Sequence, residues 1–362
     1  MTKAAELAKM GEVLTNSQIS GRRNIVINGA MQVAQRGTSQ TGVGAADGFF
    51  TCDRWGVYQG GTAGRLTMTQ DSSGPSGFAN SLKLDCTTAD TSIASGEYFA
   101  IYQRFEGQDV QQIKKGTSDA ENITVSFYVK GNASATYAVE LFDSDNTRQA
   151  SQLFSVTTDW TRVVKTFTAD TTGAFDDDNA QSLQLNFWIH AGSNLTSGTL
   201  NQTFAANDNT NRAVGISSFF DSTDRTLFLT GVQLEVGSQA TPFEHRSFGE
   251  ELALCERYFY MTYPYGATIG AASGESFLGR FLDGTQSYGS LQVPNVNMRA
   301  APTKVIYNTA TGTVSQIRTD TQNVAAGITG TGTKGGGWIY VNAVSVGTSV
   351  SVKAHLTMDA EL

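Results

Sequence analysis

The sequence has 362 residues, enough for two or three domains with cores of their own. Charged residues make up 16% of the chain, against roughly 25% in an average globular protein, and the formal net charge is -8. This balance argues against a nucleic-acid partner, because a phosphate-binding surface needs clustered Lys and Arg. The sequence also has no apolar run of about 18 residues, so we expect no membrane insertion.

The first element in the chain is a predicted amphipathic helix over Thr2 to Leu14, with Leu7, Met10 and Leu14 on one face. So short a helix is not stable alone, and its apolar stripe needs a partner. We expect it to dock onto a larger assembly or onto copies of itself, within an N-terminal segment of residues 1–24. A frayed terminal helix is the alternative.

From residue 25 to 247, apolar residues alternate with polar ones, and turns rich in Gly, Asn and Asp separate the runs. Short strands between turns predict an all-β sandwich. The clearest strands are Glu121 to Lys130, Tyr137 to Phe142, Trp160 to Thr168, Ser182 to His190 and Thr226 to Val236.

The pattern breaks near residue 248, where residues 248–255 read as a connector, helical or extended. A smaller β-domain is predicted for residues 256–362. Its strands are expected at Arg257 to Tyr263, Lys304 to Tyr307, Gly337 to Val346 and Ser349 to Met358.

The cysteines Cys52, Cys86 and Cys255 are widely spaced and odd in number. We therefore expect buried free thiols instead of a disulfide framework. The histidines lie far apart and lack ligand-type neighbours, so neither zinc nor another cofactor is predicted.

Several segments resemble, in the same order, the signatures of a widespread group of bacteriophage tail fibre and virion proteins. These segments are Arg23 to Ser39, Cys52 to Trp55, Thr230 to Glu244, Glu251 to Tyr258, Met298 to Thr303 and Asp359 to Leu362. The resemblance implies a homotrimer that assembles with other phage tail proteins. It also implies that the protein is located in the phage tail of the virion, and in the host cytoplasm before lysis.

Three central segments, Thr124 to Gly131, Asp159 to Val163 and Val232 to Glu235, are similar to carbohydrate-binding jelly rolls. In such modules a concave sheet face presents aromatic rings to sugars. The resemblance implies a jelly-roll sandwich over residues 25–247 and a host surface glycan as ligand.

Alternation within Ser182 to His190 places Gln184, Asn186 and Trp188 on the face away from the predicted core. A tryptophan among amides offers a flat ring and hydrogen-bonding groups, which together suit a sugar. Tyr128 and Lys130 occupy the corresponding face of another strand, and these five residues are the candidate glycan site. The alternative is that Trp188 packs beneath a loop or in a subunit interface.

The other three tryptophans are predicted to be core residues. Trp55 follows Asp53 and Arg54, which can form a buried salt bridge or a turn, and Trp160 and Trp338 stand at the starts of strands.

The densest acidic group is Asp176, Asp177 and Asp178. We expect it to form a solvated loop, with calcium binding as a weaker candidate role. No catalytic motif is present.

These observations predict a non-enzymatic tail fibre or tail-associated protein that recognises host glycans. Two alternatives stay open. One is a purely structural virion component, such as a tail nozzle, tail tip or head decoration. The other is a polysaccharide depolymerase, which would need two carboxylates flanking the scissile bond.

Overall fold

The computed structural model describes residues 3–4, 22–273, 277–281, 288–291, 296–319, 322–329, 337–340 and 351–362. Leu7, Met10 and Leu14 of the predicted terminal helix lie outside these residues, as does the side chain of Trp338. Among the described residues, no helix is long and apolar enough to cross a membrane. Cys52, Cys86 and Cys255 are buried free thiols, as predicted.

The described elements are mostly strands, so the all-β prediction is confirmed. The strands are β1 (Ser39–Val43), β2 (Gly48–Phe49), β3 (Gly56–Gly60), β4 (Arg65–Asp71), β5 (Ser81–Thr88), β6 (Tyr98–Glu106), β7 (Ile123–Gly131), β8 (Ala135–Asp143), β9 (Arg148–Val156), β10 (Thr161–Phe167), β11 (Gln181–Ala191), β12 (Ala205–Ala206), β13 (Thr226–Val236), β14 (Phe259–Met261), β15 (Phe277–Phe281), β16 (Tyr288–Leu291), β17 (Thr303–Asn308), β18 (Gln316–Thr319), β19 (Asn323–Ala325), β20 (Gly327–Thr329), β21 (Gly337–Tyr340) and β22 (Ser351–Asp359). The helices are α1 (Ser193–Thr196), α2 (Phe248–Glu256) and the single 3-10 turns Gly107–Asp109, Gln111–Ile113, Asn209–Asn211 and Phe219–Asp221.

The chain forms two compact units. The first contains the described residues up to Gln32 together with Ser39–Phe50 and Trp55–Arg246, and the second contains Val33–Thr38, Thr51–Arg54 and the residues from Ser247 onward. Residues 33–38 and 51–54 were expected in the sandwich but pack in the second unit. The expected connector is α2, also part of the second unit, where a Ser247–Glu250 capping box begins the helix.

The first unit is a sandwich of two antiparallel sheets. One has the strand order β1-β4-β5-β13-β7-β10, and the other has the order β12-β9-β8-β11-β6-β3-β2. All five strands predicted in this region are present, because strict alternation requires one apolar face to be buried. The inward rings of Phe127, Phe154 and Phe187 meet edge to face with centroids 5.0 to 6.2 Å apart.

Trp55 lies fully buried in the first unit, which confirms its predicted core role. Its indole Nε1–H donates to the backbone oxygen of Asn28 over 3.0 Å. Burial of this large ring therefore leaves no unpaired donor.

One glycine of the segment Thr230 to Glu244 is required by the local backbone and packing. Gly231 has a φ of 60° at an irregularity in the pairing of β13 with β7, a conformation that L side chains rarely adopt. A Cβ atom there would also lie 2.8 Å from the ring of Phe78 and 2.9 Å from the ring of Tyr128. Glycine is thus required for both the bulge and the packing of these rings.

In the described part of the second unit, β22 is the central strand and pairs with β14, β15, β17 and β18. The sheet continues through β19 on one side and through β16, β21 and β20 on the other. The core cluster on this sheet includes Met298, Ile306, Ile317, Val352, Leu356 and Met358.

Arg36 joins distant segments within the second unit. Its Nη2 donates to Asp359 Oδ2 over 3.0 Å, and its Nη1 lies 3.8 Å from Asp53 Oδ1 and 3.4 Å from Glu361 Oε1. The guanidinium lies 3.8 Å from the ring centre of Phe259. The arginine therefore combines ion pairs with a cation–π contact.

Arg54 makes the equivalent contacts nearby. Its side chain is 1% exposed, it pairs with Glu361, and its guanidinium stacks 3.4 Å above the ring centre of Tyr258. Asp53 and Arg54 lie in a turn and form buried ion pairs with Arg36 and Glu361, and Asp53 also accepts hydrogen bonds from the backbone and side chain of Gln35. These contacts explain why residues 33–38 and 51–54 belong to the second unit.

Burial raises the pKa of Asp53 to about 6, although Arg36 and Gln35 act in the opposite direction. This pKa lies above the value of about 3.9 for an unfolded chain. The contribution of Asp53 to the free energy of unfolding is therefore complete below about pH 4, where the carboxyl is protonated, and is lost as pH rises through about 6. As pH rises from about 4 to about 7, we therefore expect the free energy of unfolding of the native protein to fall relative to that of Asp53→Asn.

Urea unfolding across this pH range measures the difference. Asp119→Asn, which makes the same change at an exposed site, serves as the matched control. A pH-independent difference between the native protein and Asp53→Asn would contradict the prediction.

Candidate binding surface

The five predicted glycan residues do not form one site. Gln184, Asn186 and Trp188 lie on the outer face of the seven-stranded sheet, on β11, whereas Tyr128 and Lys130 lie on the six-stranded sheet, on β7. Alternation identifies the non-core face of each strand correctly, but the two non-core faces of a sandwich point in opposite directions.

Trp188 is fully buried, so the prediction that it presents an exposed ring is wrong. The cause is residues 192–218, here called the covering segment, whose Leu195 and Ala213 pack on the indole. Tyr58 and Tyr98 meet the indole edge to face, with centroids 6.4 and 5.9 Å away. The alternative, a tryptophan beneath a loop, is the arrangement observed.

Glu140 of β8 is the acceptor that makes this buried face possible. Its carboxylate accepts hydrogen bonds from Trp188 Nε1 over 2.8 Å and from Asn186 Nδ2 over 2.7 Å. Arg212 of the covering segment binds both carboxylate oxygens at 2.8 Å, and its guanidinium lies 4.9 Å from the rings of Trp188 and Phe142. A fully buried charge is thereby paired and hydrogen-bonded.

The rest of this face carries a mixed aromatic and polar row, here called the outer strip: Phe49, Tyr102, Arg104, Gln184 and Phe142. Strand register aligns Phe49 with Gly56, Gly56 with Tyr102, and Tyr102 with Asn186. Gln184 stands between Arg104 and Phe142. The strip thus crosses five neighbouring strands, from β2 to β8.

Gly56 allows the ring of Tyr102 to lie across β3. A Cβ atom on Gly56 would come within 2.5 Å of the Tyr102 ring. Because this space is free, the ring reaches Phe49, whose centroid is 5.7 Å away. The Tyr102 ring is itself only 3% exposed, so it supports the half-buried Phe49 from beneath at one end of the outer strip.

The centre of the outer strip is polar. The Arg104 guanidinium lies 4.4 Å from the ring centre of Tyr102, and Arg104 Nε donates to Gln184 Oε1 over 3.3 Å. Gln184 Nε2 donates to Asn186 Oδ1 over 2.6 Å, which connects the strip to Glu140. Half-buried phenylalanines stand at the two ends of this polar centre.

The other two predicted residues have different surroundings. Tyr128 packs against Phe78, with centroids 5.2 Å apart. Lys130 lies 5.4 Å from the ring centre of Phe228 and 6.0 Å from that of Trp160. Trp160 is half-buried beside Phe228, so its predicted core role is wrong, since it precedes β10 on the outer side of the sheet.

The acidic run Asp176, Asp177 and Asp178 forms an exposed loop. Asp176 N donates to Asp145 Oδ2, and Asp178 Oδ1 accepts from the backbone of Ala180. Within the described chain, none of the three aspartates belongs to a group of potential metal ligands.

Four members of the outer strip, Phe49, Tyr102, Arg104 and Phe142, were not among the binding residues predicted from the sequence. Tyr102 and Arg104 lie on β6, where Phe99 to Gln103 are all buried, so burial along this strand does not alternate and gave no clear signal. Phe49 lies in a two-residue strand, too short to show any period.

No family model matches the sequence, and no curated protein matches it. Solved structures with some similarity include a family 4 carbohydrate-binding module, at 14% identity and a TM-score of 0.31, covering 58% of this chain and 97% of that one. The CBM22-1 xylan-binding domain of Xyn10C from Paenibacillus barcinonensis shows 12% identity and a TM-score of 0.29, covering 61% and 100%. The family 11 carbohydrate-binding module of Lic26A-Cel5E from Clostridium thermocellum shows 11% identity and a TM-score of 0.28, covering 57% of this chain and 98% of that one.

The role of Glu140 can be tested by truncation. Glu140→Ala leaves Arg212, Trp188 and Asn186 without their shared acceptor, so we expect a loss of about 3–5 kcal/mol in the free energy of unfolding. Glu121→Ala is the matched control, because Glu121 pairs with Lys114 at the surface with side chains 40% and 50% exposed. Its expected cost is about 0–1 kcal/mol.

Urea denaturation of both variants gives the two free energies. Similar losses in the two variants would show that the buried network does not hold the face together.

Proposed function

We propose that the first unit binds glycans through the outer strip. The observation that carries the proposal is the position of half-buried Phe49 and Phe142 on either side of the Arg104–Gln184 centre. Aromatic rings offer faces for the apolar side of sugar rings, while the half-buried guanidinium of Arg104 supplies donors for hydroxyl groups.

The dimensions of the strip favour an oligosaccharide over a single sugar. Five adjacent strands at about 4.8 Å spacing span roughly 19 Å from β2 to β8. Strand pairing and the Glu140 network hold the side chains in place before binding, which reduces the entropy cost of association.

We propose binding without catalysis. Glu140 pairs with Asn186 in the strand register beside the strip, and Arg212, Asn186 and Trp188 already occupy its carboxylate. A carboxylate held in this way is poorly placed to protonate a leaving group, and glycoside hydrolysis needs two carboxylates in defined positions.

The binding test uses the full-length chain on an array of bacterial surface polysaccharides and β-glucans, followed by calorimetry with any glycan that binds. Phe142→Ala and Arg104→Ala should each weaken binding at least about tenfold, equal to about 1.4 kcal/mol. Trp160→Ala, on the opposite sheet, is the matched aromatic control and should leave Kd unchanged.

Circular dichroism establishes that each variant is folded before its binding is compared. Loss of binding in Trp160→Ala but not in Phe142→Ala would move the site to the six-stranded sheet. Release of reducing ends from a bound polysaccharide would contradict binding without catalysis and would show that the protein is a depolymerase.

We further propose that this protein is part of a bacteriophage tail. It forms a homotrimer, assembles with other tail proteins and binds glycans on the host surface. Support comes from the ordered signature segments of the sequence. In the second unit, Arg36, Arg54, Tyr258 and Glu361, each from a different segment, contact one another. Several copies of a weak glycan site raise avidity through effective concentration.

The second candidate function is a purely structural role in the virion. It is favoured by the covering segment, which packs on part of the outer face of β11 and leaves less of that face open to a ligand. Light scattering of the purified chain gives the oligomeric state, and immunogold labelling of phage particles locates the protein. A monomer, or labelling restricted to heads, would contradict the tail fibre proposal.

A further inference from the structure

Three potential metal ligands meet at one end of the first unit, and neither the outer strip nor the second unit uses them. Asp90 follows β5, Glu97 precedes β6, and His190 lies near the end of β11. One ligand atom from each residue lies within 4.8 Å of the others. No metal site was predicted from the sequence, because the histidines lie far apart there and have no ligand-type neighbours.

His190 supplies an independent indication of a ligand. The side chain is fully buried, and its Nδ1 pairs with Ser218 Oγ over 2.8 Å. Its Nε2 is buried and has no hydrogen-bond partner. A buried polar atom without a partner is costly and uncommon, and a bound ion is one of its standard explanations.

The two carboxylates are oriented by their own hydrogen bonds. Asp90 Oδ2 accepts from Thr62 Oγ1 over 2.8 Å and from Ala63 N over 2.9 Å. Glu97 Oε2 accepts from Ala94 N over 2.8 Å. Together with the Ser218 contact on His190, these bonds resemble the outer contacts that orient ligands around protein-bound metals.

We propose that Asp90, Glu97 and His190 form a binding site for a divalent transition-metal ion, with Zn²⁺ as the preferred occupant. One imidazole and two carboxylates match the ligand types and number of three-ligand zinc sites, where a fourth position is left for water. Ca²⁺ instead takes six to eight oxygen ligands, and an imidazole nitrogen does not suit it.

The site lies where two loops meet. The backbone oxygen of Glu97 accepts from Gly192 N over 2.7 Å, and Ser95 O accepts from Asn194 N over 2.9 Å. Residues 192 and 194 begin the covering segment over Trp188. A metal ion at Glu97 and His190 therefore fastens the start of that segment and stabilises the fold.

The test uses the full-length protein after chelation with EDTA, with Zn²⁺ alone as the probe. Stoichiometric binding should appear in calorimetry, and Tm should rise by several degrees with Zn²⁺ but not with Ca²⁺. Co²⁺ should give visible absorption bands of a low-coordinate site.

Glu97→Gln, at a half-buried position, is the main variant because it is the ligand change least damaging to the fold. Its Zn²⁺ affinity should fall by roughly 100-fold or more, since changes in outer contacts alone cost about 10–100-fold. His245→Gln removes an exposed histidine outside the cluster and should keep native affinity.

Equal Zn²⁺ affinity in the native protein and Glu97→Gln would overturn the proposal, as would a Tm response to Ca²⁺ in place of Zn²⁺. Absence of measurable Zn²⁺ binding by the folded native chain would overturn it as well. Asp90→Asn, measured in the same way, provides a second ligand variant should Glu97→Gln fail to fold.

Discussion

The outer face of the seven-stranded sheet depends on the carboxylate of Glu140. Alternation along β11 directs Asn186 and Trp188 away from the core, and the covering segment then removes them from water. Their N–H groups need an acceptor there, and Glu140 provides it, while Arg212 from the covering segment neutralises the buried charge. One ion pair thus joins strand and segment, which closes the Trp188 end of the face and leaves the outer strip beside it.

A comparable constraint acts in the second unit. Arg36 and Arg54 come from the beginning of the sequence, whereas Tyr258 and Glu361 come from its later part, and within the unit they form ion pairs and cation–π contacts. Such contacts need planar guanidinium groups at set distances from ring and carboxylate, so lysine would not replace either arginine. This geometry gives the segments around Arg36, Arg54 and Glu361 a shared structural role.

The proposed glycan strip and the proposed metal site use the same two strands. Glu97 immediately precedes β6, which carries Tyr102 and Arg104, and His190 lies on β11 with Gln184. Hydrogen bonds from residues 192 and 194 connect this end of the strands to the covering segment. The position of that segment therefore influences both the stability of the unit and the extent of the open surface.

The sequence by itself determined the all-β class, the strands from β7 to β13 with clear alternation, the core role of Trp55 and the free state of the three thiols. These features follow from local periodicity and composition, which adjacent residues carry. Only the tertiary structure decided that Trp188 is covered, that Trp160 is not in the core, and that Tyr128 and Lys130 lie on a different sheet from Gln184. It also decided the grouping of Phe49, Arg104 and Phe142, and of Asp90, Glu97 and His190. Alternation tells which face of a strand a residue occupies, but strand order and loop packing decide what lies above that face.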